Sequence, residues 1–176
     1  KKISLFEKKT RSIFDKIHIR QWNNLQSRTR LRKLLNPKNL YLNKNYFKDK
    51  VCLDAGCGTS FHGTINLLNL KAKAVHAIDL DKSIFKFSKK LNKFKKKNQS
   101  IFVKTQSVLN LDYKKNYFDF VLCQGVIHHS ENPIKALREC YRVLKPGGKL
   151  YIQICGKGGL IHEMIFDFLR KYYLND

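Results

Sequence analysis

The stretch that decides the fold is Val51-Cys52-Leu53-Asp54-Ala55-Gly56-Cys57-Gly58-Thr59, an apolar run that enters a Gly-x-Gly turn. Two glycines let the backbone turn tightly and approach a ligand closely, and a following helix presents unpaired N–H groups at its first turn. The stretch predicts a buried strand, a ligand-binding turn and a helix, which suits a nucleotide-like ligand. A dinucleotide fingerprint would need a further glycine where this chain has Phe61, which disfavours binding of a nicotinamide dinucleotide.

From Lys50 onward, short apolar runs alternate with longer amphipathic segments. This texture is typical of an α/β fold, a Rossmann-like and mostly parallel sheet with flanking helices. Five strands are predicted, at Val51–Ala55, Ala74–Asp79, Ile101–Gln106, Phe118–Gln124 and Lys149–Cys155. Helices are predicted at Thr64–Leu70 and Leu160–Tyr173, and over the two apolar stripes Ile84, Phe87, Leu91, Phe94 and Ile134, Leu137, Tyr141, Leu144. We interpret all these stripes as core.

The chain is long enough for one domain with a sizeable core and too short for two well-developed ones. Residues 1–47 form a basic segment with apolar residues at helical spacing, which predicts an N-terminal helical extension that ends near Pro37. Residues 48–176 are predicted to form the core domain.

The charge of the chain is strongly one-sided. Lys and Arg number 36 against 13 Asp and Glu, which gives a formal net charge of +23. Such a field attracts anionic partners, among them RNA, anionic membrane surfaces and phosphorylated small molecules. A Lys-rich compositional bias that fills solvated faces explains the same charge equally well. The basic run Arg28–Lys33 is open to the same two interpretations, a phosphate-binding surface or a solvated helix face.

The cysteines and the apolar runs restrict the compartment. The five cysteines form no Cys-x-x-Cys pair, so no metal site is predicted, and we expect small buried core residues in a reduced environment. No apolar run approaches the roughly 18 residues of a membrane span, and the first residues lack the pattern of a secretion signal. We therefore expect a soluble, cytoplasmic protein.

A carboxylate closes the second predicted strand. Asp79 follows the glycine turn by roughly 20 residues, a spacing at which an acidic residue binds ribose hydroxyls. An acidic residue at a strand end is also often a helix cap, but Asp81, before Lys82-Ser83, is the better capping candidate. We therefore interpret Asp79 as a ribose ligand.

Three motifs in order carry a resemblance to a known family. They are Asp54–Thr59, Phe118–His129 and the helix and turn Ala136–Gly148. The chain resembles the class I S-adenosylmethionine-dependent methyltransferases, in particular the small-molecule group that includes ubiquinone and menaquinone methylases. The resemblance implies S-adenosylmethionine as cofactor and methyl transfer as activity.

The resemblance also implies roles for individual residues. The first motif would hold the methionine end of the cofactor through Asp54, Ala55, Gly56, Cys57 and Gly58. Farther along, Asp79 would bind the ribose, Leu80 would pack on the adenine, Ser107 and Val108 would border the adenine, and Gln124 would lie near the amino-acid portion. The family usually has an Asp where this chain has Ser107, a weaker partner for the adenine amino group.

The resemblance leaves the last part of the sheet and the acceptor open. The family sheet has seven strands, whereas the stretch after Cys155 is predicted to be helical, so the last two strands are expected to be missing and the core to be truncated. His129, beyond the fourth strand, is a candidate base, although a His pair there also suits a helix cap. We expect O- or C-methylation of a quinone, phenol or lipid-like small molecule. The alternatives are an RNA methyltransferase and a non-catalytic cofactor-binding module.

Overall fold

A computed structural model describes residues 4–12, 29, 33 and 35–154. Residues 5–12 are helical. The α/β elements that follow are β1 (Val51–Ala55), α1 (His62–Asn69), β2 (Ala74–Asp79), α2 (Ile84–Ser88), β3 (Ser100–Thr105), β4 (Phe118–Gln124), α3 (Pro133–Arg142) and β5 (Leu144–Gln153). Short 3₁₀ helices lie at Pro37–Leu40, Lys89–Lys93 and Ile127–His129. The predicted α/β fold is confirmed.

The five strands form one sheet in the order β3-β2-β1-β4-β5, and every neighbouring pair is parallel. In the central strand β1, Leu53 lies in register with His76 of β2 and Val121 of β4. Strands buried on both faces are expected to be largely apolar, and β1, β2 and β4 follow this rule apart from Asp54, His76 and Asp119 in their interiors. The fold therefore rests on strands that the sequence marks clearly.

One face of the sheet is covered by α1 and by the chain that precedes β1. Leu35 and Phe47 from that chain are fully buried against the β-sheet core, together with Leu67 of α1 and Phe120 of β4. The rings of Phe47 and Phe120 pack edge to face with centroids 4.8 Å apart. Full burial of each such side chain contributes about 1.5–3 kcal/mol. Residues from 35 onward thus belong to the same core as the sheet.

The other face is covered by α3, which begins as predicted. The Asn132 side chain accepts a hydrogen bond from the Lys135 N–H at 2.9 Å, and Pro133 occupies the first turn. The helix buries Ala136 and Cys140 against the sheet. Small side chains at this contact let the helix axis come close to the strands.

The interpretation of the whole α3 stripe as core was wrong. Ile134 is 59% exposed, Tyr141 is 73% exposed and Leu137 also lies at the surface, whereas Leu144 is buried. The small residues one turn apart face the sheet, so the larger ones fall on the flank of the helix. In α3, the stripe of large apolar residues therefore does not coincide with the side of the helix that packs on the sheet.

The largest differences from the predicted bounds concern two elements. The helix expected over Ile84–Phe94 divides into α2 and the 3₁₀ helix Lys89–Lys93, where lysines dominate and Leu91 alone is buried. Strand β5 begins at Leu144 rather than at Lys149, because Leu144 pairs with Phe118 before a register shift in the ladder. The sheet order is unaffected by either difference.

Several expectations fall on residues that the structure does not describe. They concern the helix at Leu160–Tyr173, the end of the core after Ile154, Cys155 and most of the basic run at 28–33. The other four cysteines, at positions 52, 57, 123 and 140, are free and buried. Within the described ranges, no helix has the length and apolarity needed to cross a membrane.

Candidate cofactor site

The site lies at the carboxyl edge of the sheet, where the strand order reverses between β1 and β4. Chain connections leave to opposite faces on the two sides of such a point, and this opens a crevice in which ligands bind. The turn after β1 and the turn after β4 form the two walls of the crevice. The geometry of these two turns therefore defines what the site can hold.

The turn after β1 is locked to the end of β2. The N–H groups of Gly56 and Cys57 both donate to the carbonyl oxygen of Ile78, at 2.8 and 2.9 Å. Gly56 and Gly58 have φ values of +83° and +55°, which side chains other than glycine rarely adopt. The conformation of the turn therefore favours glycine at both positions.

Asp79 joins this turn to the start of the next segment. Its Oδ2 accepts a hydrogen bond from the Gly58 N–H at 2.8 Å, and its Oδ1 accepts one from the Asp81 N–H at 2.9 Å. Asp81 in turn accepts from the Ser83 N–H at 2.7 Å just before α2, but the N-cap residue of α2 is Ser83 and not Asp81 as expected from the sequence. These hydrogen bonds hold the Asp79 carboxylate at the edge of the turn.

A cleft of about 750 Å³, partly open to solvent, lies over these turns. Six of the predicted site residues line it, namely Gly56, Asp79, Leu80, Val108, Gln124 and His129. The other lining residues are Glu7, Thr10, Arg11, Asp81, Gln106, Gly125, Val126 and Ser130. The remaining predicted residues, Asp54, Ala55, Cys57, Gly58 and Ser107, lie behind or beside this lining.

Asp54 is buried beneath the glycine turn, only 3% exposed. Its Oδ2 accepts a hydrogen bond from the Thr64 hydroxyl of α1 at 2.7 Å, and Gly63 passes so close that an added Cβ would lie 2.8 Å from the carboxylate. Burial raises the pKa of Asp54 to about 6, while the hydrogen bonds from Thr64 oppose the rise. Asp54 thus holds α1 against the turn.

This environment predicts a pH-dependent stability. The folded-state pKa of Asp54 is about 6, above the ordinary value of 3.8, so folded molecules retain a proton that unfolded ones have released, and stability falls as pH rises between these values. Asp54→Asn keeps the shape and the Thr64 bond but cannot ionise. Relative to the wild type, we expect the variant to gain about 3 kcal/mol in unfolding free energy from about pH 4 to about pH 7.

Urea denaturation at a series of pH values measures this difference. Asp112→Asn is the matched control, because Asp112 lies at the surface in an ion pair with Lys104. Exposed pairs contribute little, so the control should follow the wild-type profile. Parallel profiles for Asp54→Asn and the wild type would show that Asp54 does not carry the pH dependence.

His129 lines the cleft on the β4 side, in the short 3₁₀ helix Ile127–His129. Burial lowers its pKa, and the neighbouring His128 lowers it further. A lowered pKa keeps the imidazole neutral at physiological pH, the form that can accept a proton. His128 does not line the cleft. Of the two histidines, His129 is therefore the better placed to act as a base.

The N-terminal segment, residues 4–12, supplies three lining residues that sequence reasoning missed. Glu7, Thr10 and Arg11 face the cleft from the helical part of this segment. Ser4-x-x-Glu7 is a capping-box pattern that predicts a helix start, but it does not indicate what the helix covers. The local pattern therefore predicts the helix, but it does not identify these three residues as part of the lining.

Comparisons with known proteins point to one family and one fold. The family model described as a methyltransferase domain matches residues 53–152. The chain is 38% identical over 126 residues to an uncharacterized protein of Methanocaldococcus jannaschii, a match that covers 72% of this chain and 50% of that protein. It is 32% identical over 117 residues to a tRNA U34 carboxymethyltransferase of Helicobacter acinonychis, covering 64% of this chain and 43% of the relative.

Solved structures show the same fold. A candidate S-adenosyl-L-methionine-dependent methyltransferase of Methanococcus maripaludis superposes with a TM-score of 0.63 at 20% identity, covering 99% of this chain and 76% of that one. The chain spans about half the length of the curated relatives it matches.

Proposed function

Because the chain belongs to the methyltransferase domain family, with S-adenosylmethionine as its cofactor, we propose that the cleft holds this cofactor and that the protein transfers its methyl group to RNA. One observation carries the proposal. In the glycine turn after β1, the Gly58 N–H donates a hydrogen bond to Asp79, and this turn lies where the strand order of the sheet reverses. The expectation of a class I methyltransferase is confirmed by the family match.

The residues present fit the cofactor. Gly125, which lines the cleft, has open space where a Cβ would stand, so a ligand can approach its backbone closely. The Oε1 atom of Gln106 is buried and has no hydrogen-bond partner among the described residues, which leaves an acceptor for a donor group. Three carboxylates, of Glu7, Asp79 and Asp81, line the cleft and suit a ligand that carries a cationic sulfonium and several hydroxyl and amino donors.

The roles that we propose for the lining residues are those that the family resemblance implies. Gly56 and Gln124 border the methionine end, Asp79 binds the ribose, and Leu80 and Val108 pack on the two sides of the base. Asp54 and Ser107 act through other residues, since each is bonded to a neighbouring side chain and neither lines the cleft.

The cofactor, when bound, supplies an activated methyl group. The protein aligns an acceptor with that group and, where the acceptor carries a proton, removes it. Ser130 and His129 both line the β4 side of the cleft. The backbone of His129 is held in place because its main-chain N–H donates to the Val126 carbonyl oxygen at 2.9 Å. We assign proton removal to the neutral His129 imidazole.

RNA is the favoured acceptor class for two reasons. The net charge of +23 favours a polyanion, and relatives with 32% identity are tRNA-modifying enzymes by name. A small-molecule acceptor is the second candidate, supported by the resemblance of the β1 and β4 motifs to the quinone methylases.

Transfer of a radioactive methyl group distinguishes the candidates. The full protein is incubated with labelled S-adenosylmethionine and either total RNA or an extract of small molecules, with Asp79→Ala as the inactive control. We expect ribonuclease-sensitive label in the RNA fraction that declines as salt is raised, because phosphate contacts release counterions. Label confined to the small-molecule fraction would favour the second candidate. If the protein bound the cofactor but transferred label to neither fraction, it would be a non-catalytic cofactor-binding module.

A further inference from the structure

The Glu7 side chain is more deeply buried than a capping residue needs to be. In the capping box at the start of the N-terminal segment, the Glu7 N–H donates to the Ser4 hydroxyl at 3.1 Å, and the Ser4 N–H donates to Glu7 Oε2 at 3.2 Å. A capping box serves equally well at an exposed helix start, yet Glu7 is only 7% exposed. Glu7 borders both the cleft and the loop after β3.

Ser107 fastens this carboxylate in place. The Ser107 hydroxyl donates to Glu7 Oε1 and at the same time accepts a hydrogen bond from the Leu109 N–H at 3.0 Å. Among the described residues, each Glu7 oxygen therefore has one hydrogen-bond donor, and a carboxylate can accept about four hydrogen bonds in all. Within residues 4–12 and 35–154, Glu7 forms no ion pair. A buried carboxylate with spare acceptor capacity calls for donors from a ligand.

The position of Glu7 along the cleft indicates which part of the cofactor it meets. Asp79 ends β2, and β3 lies beyond β2 at the edge of the sheet. With the ribose on Asp79, the base extends toward Val108, which follows β3 and lines the cleft. Glu7 accepts a hydrogen bond from Ser107, the residue just before Val108, and lines the same cleft. The base and the Glu7 carboxylate therefore share this end of the site.

We propose that Glu7, held by Ser107, accepts a hydrogen bond from the exocyclic amino group of the cofactor's adenine and so selects adenine. The inference rests on the proposed cofactor site. It assigns the recognition of the base to a residue of the N-terminal segment, about 100 positions before the loop it contacts. Glu7 is thus a specificity-determining residue, and Ser107 positions it.

Calorimetry with two ligands tests this assignment on the full protein. The ligands are S-adenosylhomocysteine and the analogue in which a hydrogen replaces the adenine amino group. A hydrogen bond to a charged group predicts that the wild type binds the first about 10- to 100-fold more tightly. Glu7→Gln, which keeps the shape but not the charge, should reduce this preference to a few-fold, and Glu7→Ala should abolish it.

A matched variant separates recognition from capping. Ser4→Ala removes the side-chain half of the capping box but leaves the Glu7 carboxylate, so the preference for the amino ligand should persist. If Glu7 only held the helix, Glu7→Ala would weaken both ligands equally and keep their ratio, which would overturn the proposal. The proposal would also be overturned if Gln106→Leu lost the preference for the amino ligand while Glu7→Ala kept it, because the acceptor would then be Gln106.

Failure of the inference is distinguishable from failure of the cofactor site. Wild-type protein that binds both ligands with equal affinity contradicts the role of Glu7 and leaves the site itself intact. Wild-type protein that binds neither ligand, although folded, overturns the cofactor site and the role of Glu7 together.

Discussion

Replacing Asp79 with alanine is expected to weaken the binding of S-adenosylhomocysteine by about 100-fold or more. The change removes the proposed ribose ligand and also leaves the N–H groups of Gly58 and Asp81 without their carboxylate. Hydrogen bonds to a charged group are each worth about 1.5–3 kcal/mol, and about 2.7 kcal/mol corresponds to a factor of 100 in affinity. Isothermal titration calorimetry measures the effect.

Two further variants keep the Asp79 prediction testable. Asp79→Asn retains one oxygen acceptor and the size of the side chain, so it should fold normally and bind with an intermediate affinity. Asp112→Ala removes an exposed carboxylate that lies outside the cleft and should leave the affinity unchanged. Wild-type affinity in a folded Asp79→Ala variant would remove Asp79 from the site.

Gly56→Ala is expected to abolish measurable cofactor binding and to lower the free energy of unfolding by about 2–5 kcal/mol. An added Cβ would lie 2.2 Å from Cγ2 of Val126 and 3.1 Å from its Cβ, so a change of rotamer alone cannot relieve the overlap. The backbone of Gly56 has a φ of +83°, which adds strain for any residue with a side chain. The turn after β4 would have to move away from the turn after β1, which would open the cleft.

Urea denaturation and calorimetry on paired variants separate the two causes. Gly147→Ala has a similar positive φ of +75° but meets no atom within 4 Å and lies outside the cleft, so it should lose only the strain contribution and keep full binding. Val126→Ala combined with Gly56→Ala removes the closest atoms and should restore part of the stability. Equal effects of Gly56→Ala and Gly147→Ala would contradict the close packing of the two turns.

Much of the fold could be predicted because its signals are local. Strands β1, β2 and β4 are largely apolar runs, and Gly56 and Gly58 lie where the backbone has a positive φ, which favours glycine. The start of α3 was equally clear, since Asn132 and Pro133 act within one turn of the helix. Signals of this kind depend on neighbours in the sequence and not on tertiary contacts.

The errors have a common physical origin in tertiary packing. Ile134 and Tyr141 were assigned to the core by periodicity, but the sheet accepts the small face of α3 and leaves them exposed. Periodicity identifies a stripe, whereas the closeness of two packed elements decides which stripe is buried. The start of β5 at Leu144 depends in the same way on its pairing with Phe118.

The site could be predicted in part for the same reason. Gly56 and Asp79 belong to short motifs, and both line the cleft. The contact between Glu7 and Ser107 joins residues 100 positions apart, and nothing in the local sequence of either one indicates the other. A departure from the family pattern at Ser107 was visible in the sequence, but the residue that contacts it was not.

The most direct test of the central claim is calorimetric titration of the full wild-type protein with S-adenosylhomocysteine, with NADH as a comparison ligand. The geometry of the cleft predicts saturable binding of S-adenosylhomocysteine at one site per chain and no binding of NADH. Binding of NADH instead, or no binding of S-adenosylhomocysteine by a protein that unfolds cooperatively, would contradict the assignment of this cleft to S-adenosylmethionine.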